Sequence, residues 1–221
     1  ESSVRANSAV RLISAEAKSA VVVAPRSQLM FLASLPGVEH VQANPEYKSL
    51  HMSSLDFDAP IHAAENETLM GGETGTKAMG FEEAWAKGFD GRGQIASFAD
   101  TGLDVGDMAT IHPDFAGAVK TGQALGMFGK SWEDPMGHGT HVAGSIAGRG
   151  TFSKGVLKGG AFGAMLVAQS MWSPVMNNIM PPSRLETLFN NASKEGATVH
   201  SNSWGRPNSK GDYDSMAQQV D

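Results

Sequence analysis

His138-Gly139-Thr140-His141-Val142-Ala143-Gly144 is the stretch on which the fold is decided, and Asp100-Thr101-Gly102 stands upstream of it. Each piece by itself has an ordinary reading. An Asp-Thr-Gly triplet ends a strand in a turn, because Asp and Gly are turn formers. A His-Gly-Thr-His run is either a plain helix start or a pair of zinc ligands at i and i+3. Their surroundings say more. Gln94-Ile95-Ala96-Ser97-Phe98-Ala99 is a short, apolar-rich run leading straight into Asp100, as a buried strand should. Val142 to Ala147 is small and apolar, suited to a helix pressed on a sheet, so His138 is expected where a loop becomes a buried helix.

Working outward, strands and helices alternate. Strands are predicted near 94–99, 164–170 (Ala164-Met165-Leu166-Val167-Ala168-Gln169-Ser170) and 198–202, with helices near 139–148 and 184–195. Phe81 to Lys87 reads as a short helix before the first of these strands. Ser183-x-x-Glu186 reads as a capping box, and Gly196 sits where a left-handed C-terminal residue belongs. Alternation of this kind predicts an α/β fold, a parallel sheet with helices on both faces. Ligands of such sheets bind beyond the carboxyl ends of the strands. Asp100 and Ser203 fall at those ends, with His138 beginning a helix beside them.

The two motifs together resemble the Asp and His blocks of the subtilisin-like serine proteases. Asp104, His112-Pro113-Asp114-Phe115 and Val199-His200-Ser201-Asn202-Ser203-Trp204-Gly205 add to the likeness. The Asn-Ser-Trp-Gly spelling, with Arg184-Leu185-Glu186-Thr187-Leu188-Phe189 upstream, is similar to a branch of large bacterial subtilases. The resemblance covers about residues 75–221 well. It implies Asp100 as the orienting carboxylate and His138 as the general base of an Asp-His-Ser triad. A serine hydroxyl is a poor nucleophile until an imidazole takes its proton, and that imidazole needs a carboxylate to hold its tautomer and stabilise its cation. The order Asp, His, Ser is the subtilisin order. No Gly-Thr-Ser-Met-Ala block occurs in these 221 residues. The nucleophilic Ser and the oxyanion-hole Asn are therefore expected from a C-terminal remainder of the same protein, and the chain alone is expected to be incomplete and inactive.

The resemblance also implies a protein or peptide substrate. Ser203, Trp204 and Gly205 are the candidate substrate-binding edge, where an extended peptide would add as a strand and Gly205 would leave it room. The plainer reading is a core strand ending in a turn with Trp204 simply packed. Pro174 to Pro182, with Met176, Ile179 and Met180, is either a rim of the distal pockets or a surface loop. Structural calcium is a candidate in such a protein, and Asp114 matches a position that ligates it in many subtilases. The partner loop Arg149-Gly150-Thr151-Phe152-Ser153-Lys154-Gly155 offers two cations and no Asn, which makes Asp114 a weak candidate. No cofactor is required for the chemistry.

Composition narrows the rest. The chain carries 23 Asp and Glu against 17 Lys and Arg, a net charge of −6, with no Lys/Arg stripe, which argues against a nucleic-acid partner. A hydrophobic content of 41% suffices for a packed core. No apolar run approaches the roughly 18 residues of a membrane helix, so no membrane partner is expected. Absence of cysteine excludes disulfides and thiol catalysis and is compatible with export, so a secreted or periplasmic location is expected. The chain opens at Glu1 without Met and without a signal peptide, as a processed piece would.

Residues 1–50 differ in pattern from the rest of the chain. Val21-Val22-Val23 reads as a strand and Ser27 to Leu35 as a helix with Leu29, Met30, Phe31, Leu32 and Leu35 as its apolar face. Pro36-Gly37 stops that helix, and Val38 to Asn44 alternates like an edge strand. This small α+β segment resembles the back half of a subtilase propeptide, residues 51–75 read as a linker and processing region, and 76–221 as the N-terminal part of the catalytic domain. A self-cleavage is expected between about Tyr47 and Gly72. The alternative to an enzyme is a subtilase-like protein that holds peptides along Ser203-Trp204-Gly205 without cutting them, and a zinc hydrolase stands third.

Overall fold

The computed structural model describes residues 7–15, 20–41, 48–49, 75–206, 211, 213 and 215–221. They fall into two compact units, Glu1–Glu46 and Tyr47–Asp221. In the first, β1 (Arg11–Ala15) pairs antiparallel with β2 (Ala20–Val23), its register shifting between Leu12 and Ser14. A 3₁₀ turn at Arg26–Gln28 leads into α1 (Leu29–Ala33). Val10 and Leu32 are buried, with Leu12, Val22, Phe31, Leu35 and Val41 packed around them. The expected apolar face of the helix is only half used, since Leu29 and Met30 are exposed. Four successive apolar residues at 100° each go round a helix rather than down one side, so they cannot all face one core. The expected edge strand over Val38 to Asn44 does not form in its described part. Residues 38–41 carry no ladder, the Val38 N–H closing a turn onto the Leu35 carbonyl at 3.1 Å instead. Residues 42–44 and the expected linker 51–75, save Gly75, lie outside the described residues.

The second unit begins with the two-residue strand β3 (Lys48–Ser49), then α2 (Gly75–Ala78) and α3 (Phe81–Ala86). Its centre is a four-stranded sheet. β4 (Ile95–Asp100), β5 (Val119–Ala124), β6 (Met165–Ser170) and β9 (Val199–Asn202) lie in the order β5-β6-β4-β9, and every pair is parallel. Between them come α4 (His138–Ala147), the short antiparallel pair β7 (Trp172–Ser173) and β8 (Asn178–Ile179), and α5 (Glu186–Lys194). β10 (Trp204–Gly205) and α6 (Ser215–Val220) close the order.

Both faces of the sheet are covered, which is why its central strands read as nearly continuous apolar runs. Phe98 and Ala99 are neighbours on β4 and so point to opposite faces. Phe98 joins Leu166, Ala168 and the α4 residues Ala143 and Ala147 in one core. Ala99 joins Met171, Ile179 and the α5 residue Leu188 in the other. Phe98, Leu166 and Leu188 are wholly buried, each contributing about 1.5–3 kcal/mol of transfer free energy. The small side chains of α4 let its backbone settle close to the sheet, bringing its first residue to the end of β4.

The element β5 was not expected from the sequence. Lys120, Thr121 and Gly122 interrupt the apolar run, as an edge strand tolerates. Gly122 is required there, since a Cβ would fall 2.1 Å from Cδ2 of the Trp132 ring that covers the strand. The helix α5 starts later than the expected capping box would place it. Glu186 is the first residue of α5 rather than its third turn position, and its carboxylate pairs with Arg184. Gly196 does take the left-handed conformation expected of it, at φ +83°.

Candidate active site

Asp100 is the last residue of β4 and His138 the first of α4, and the sheet brings the two together. Asp100 is 0% and His138 4% exposed. His138 Nδ1 lies 2.7 Å from Asp100 Oδ1. A carboxylate oxygen accepts, so Nδ1 carries the proton, which leaves Nε2 as the basic nitrogen of the neutral ring. The Thr101 N–H donates to the same Oδ1 at 2.7 Å, while Oδ2 meets no donor among the described residues.

Glycine and threonine hold the two segments at this distance. A Cβ on Gly139 would fall 2.2 Å from the Gly102 carbonyl oxygen, so the loop after Asp100 and the first turn of α4 touch backbone to backbone. The Gly139 N–H donates to Thr101 Oγ1 at 2.8 Å, and the buried Ser170 hydroxyl donates to the Thr101 carbonyl at 3.2 Å. Thr101, Asp134 and Thr140 were not singled out in the sequence. The signal for Asp134 was present, as an Asp ahead of a glycine that opens a helix.

The third expected constellation lies beside this pair. Ala99 pairs with Asn202, which sets Ser203 level with Asp100. Beyond it β10 pairs antiparallel with β3, Trp204 opposite Ser49 and Gly205 opposite Lys48. A piece of this chain thus runs along the expected substrate edge, with β8 beside it. A Cβ on Gly205 would meet no atom within 4 Å. Trp204 also packs on the core formed by Met171 and Leu188, so its plainer reading holds as well. His141, on the same helix as His138, is exposed.

Asp114, the weak calcium candidate, lies between two turns. Its Oδ1 accepts the Phe152 N–H at 2.7 Å and its carbonyl accepts the Arg149 N–H at 2.9 Å, stapling two turns together. Among the described residues no group of three or more His, Asp or Glu is gathered where it could hold a metal ion. No helix among them is long and apolar enough to cross a membrane.

A parallel sheet covered on both faces, with a buried Asp–His pair at its carboxyl edge, places the chain in the α/β class. The subtilase family (peptidase S8) matches residues 91–221, and the chain belongs to that family. The subtilisin-like serine protease Pen ch 18 of Penicillium rubens is 30% identical over 148 residues, 66% of this chain and 27% of that protein. The minor extracellular protease Vpr of Bacillus subtilis (strain 168) is 26% identical over 161 residues, 68% of this chain and 18% of that protein. Fervidolysin from Fervidobacterium pennivorans, a keratinolytic enzyme related to subtilisin, is 27% identical with a TM-score of 0.46, covering 59% of this chain and 20% of its own. The chain therefore spans about a quarter or less of the length of the curated relatives it matches.

Proposed function

We propose that these residues supply the carboxylate and the base of a serine endopeptidase. The observation that carries this reading is the buried 2.7 Å contact between His138 Nδ1 and Asp100 Oδ1. His138 Nε2 takes the proton of a serine hydroxyl as its oxygen attacks the scissile carbonyl, then returns a proton to the departing amine; water repeats the cycle on the acyl-enzyme. Asp100 holds the imidazole in the required tautomer and stabilises its cation. The serine and the oxyanion-hole Asn belong to polypeptide outside these 221 residues, which contain no Gly-Thr-Ser-Met-Ala block.

An extended peptide substrate binds along Ser203, Trp204 and Gly205. The antiparallel pairing of β3 on β10 supports this, since an extended segment of the chain already lies along that edge. Residues 1–50, β3 included, serve as a propeptide, the whole being a secreted zymogen. In protein that includes the serine block, His138→Ala is expected to lower peptide hydrolysis by several orders of magnitude, on the order of 10³-fold or more. His141→Ala, at an exposed position of the same helix, is expected to leave turnover within a few-fold. Equal losses in folded protein would remove His138 from the role of base.

A further inference from the structure

The carboxylate of Asp134 gathers four donors. Oδ1 accepts the N–H of Met136 at 3.1 Å and of Gly137 at 2.9 Å. Oδ2 accepts the N–H of Thr140 at 2.8 Å and the Thr140 hydroxyl at 2.7 Å. A hydroxyl has one proton and a carboxylate only accepts, so the direction of this last bond is fixed. The lone pair left on Thr140 Oγ1 receives the Asp104 N–H at 2.8 Å. The ring closes through the backbone, where the Asp134 N–H donates to the Asp104 carbonyl at 2.8 Å and the Leu103 N–H to the Trp132 carbonyl at 2.9 Å.

That ring ties together the two segments that carry the catalytic pair. Leu103 and Asp104 come just after Asp100, while Thr140 stands in the first turn of the helix that His138 begins. Asp104 has φ +46°, a left-handed backbone that a non-glycine residue keeps only where its surroundings hold it. Asp134 and Thr140 hold the Asp104 backbone, while the Asp104 carboxylate accepts the His112 N–H at 2.6 Å. A carboxylate that only capped α4 would satisfy the N–H groups of Gly137 and Thr140. Here it also orients the Thr140 hydroxyl onto the opposite segment.

We infer that Asp134 and Thr140 are positioning residues for the His138–Asp100 pair, the Asp134 carboxylate acting through the Thr140 hydroxyl to set where the imidazole meets its partner. The inference rests on the reading of His138 as the base. Sites of this kind must be held within about 0.5 Å of the productive geometry. The Thr101–Gly139 hydrogen bond is a second tie between the same segments, so loss of the ring loosens the pair without separating it.

The test uses the protein with its serine block and ¹⁵N-labelled histidines. The probe is the proton on His138 Nδ1, which resonates far downfield while the ring sits on a carboxylate, together with the His138 titration midpoint and the kinetics of peptide hydrolysis. Thr140→Val keeps the shape and removes the hydroxyl, Thr140→Ser keeps the hydroxyl, and Asp134→Asn alters the acceptor. Thr140→Val and Asp134→Asn are expected to lose the downfield signal or move the midpoint by about half a pH unit or more. They are also expected to lower kcat on the order of 10–100-fold with KM kept. Thr140→Ser should match the unsubstituted protein in all three. A folded Thr140→Val protein with signal, midpoint and kcat unchanged overturns the inference, as does Thr140→Ser failing like Thr140→Val. If Asp134→Asn does not fold, the Thr140 pair decides alone. The resonance and midpoint need no turnover, so positioning can fail while His138→Ala still abolishes hydrolysis, and the reverse outcome is equally visible.

Discussion

Two glycines on α4 should respond to the same substitution with opposite signs. Gly139→Ala puts a methyl group 2.2 Å from the Gly102 carbonyl oxygen, where only backbone can yield. Alanine gains up to about 1 kcal/mol of helix propensity over glycine. The overpacking costs about 1–3 kcal/mol or more, so the clash wins. Moreover, the yielding segment carries Asp100, so hydrolysis should fall further than stability. Gly144→Ala meets only Cζ of Phe115, at 3.9 Å, and should be neutral or stabilising by about 0.5–1 kcal/mol. Urea unfolding of the two variants, with peptide hydrolysis measured alongside, checks the contrast. Equal effects would mean that the close contact of Gly139 with Gly102 does not set the geometry of the pair.

The strand β9 carries a titrating group that the catalytic reading does not use. His200 Nε2 lies 2.9 Å from Gln169 Oε1 and its Nδ1 3.1 Å from Asn202 Nδ2. An amide oxygen accepts and an amide nitrogen donates, so the ring is neutral with its proton on Nε2. Gln169 spends its own amide protons on Gln123 Oε1 and the Leu188 carbonyl, each at 3.0 Å. The ring of Phe189 meets His200 edge-on. Burial pushes the His200 pKa down from 6.5 to about 4. Between those values the unfolded chain binds a proton that the folded one does not, so stability falls as pH is lowered from about 6.5 to 4 and this contribution then levels off. Unfolding free energies measured across that range should slope less in His200→Gln, and an unchanged slope would show that the ring accepts its proton without loss of fold. Nothing in the sequence announced this network, because side chains on β9, β6, β5 and α5 meet only once the strand order is set. The elements themselves were far more legible. β4 and β6 were readable because strands buried on both faces are spelled mostly in apolar residues, and α4 because small residues sit where it meets the sheet. The edge strand β5 was not readable, since one side of it answers to a Trp132 ring supplied from elsewhere in the chain. Likewise Asp100 and His138 were legible from motif and position, whereas Asp134 and Thr140 matter only through hydrogen bonds that close in three dimensions.

At the scale of the whole molecule, the pairing of β3 with β10 supports the proposed propeptide role of residues 1–50. Lys48 lies opposite Gly205 and Ser49 opposite Trp204, so the strand runs antiparallel toward Ser203. Ser203 in turn is level with Asp100 across the sheet. The described pair Lys48–Ser49 is thus directed along this edge toward the end of the sheet where His138 and Asp100 stand. A substrate peptide would need the same edge, and both cannot occupy it. Under the proposed function the segment has to leave before another chain can bind, and the proposed Asp100–His138 pair is the means at hand. One self-cleavage is expected between about Tyr47 and Gly72, dependent on His138 and on the serine from the remainder of the protein. N-terminal sequencing of active enzyme should find a start inside that window, while His138→Ala protein should remain uncut. An active enzyme that still begins at Glu1 would make β3 a permanent strand of the domain and would require substrates to bind elsewhere.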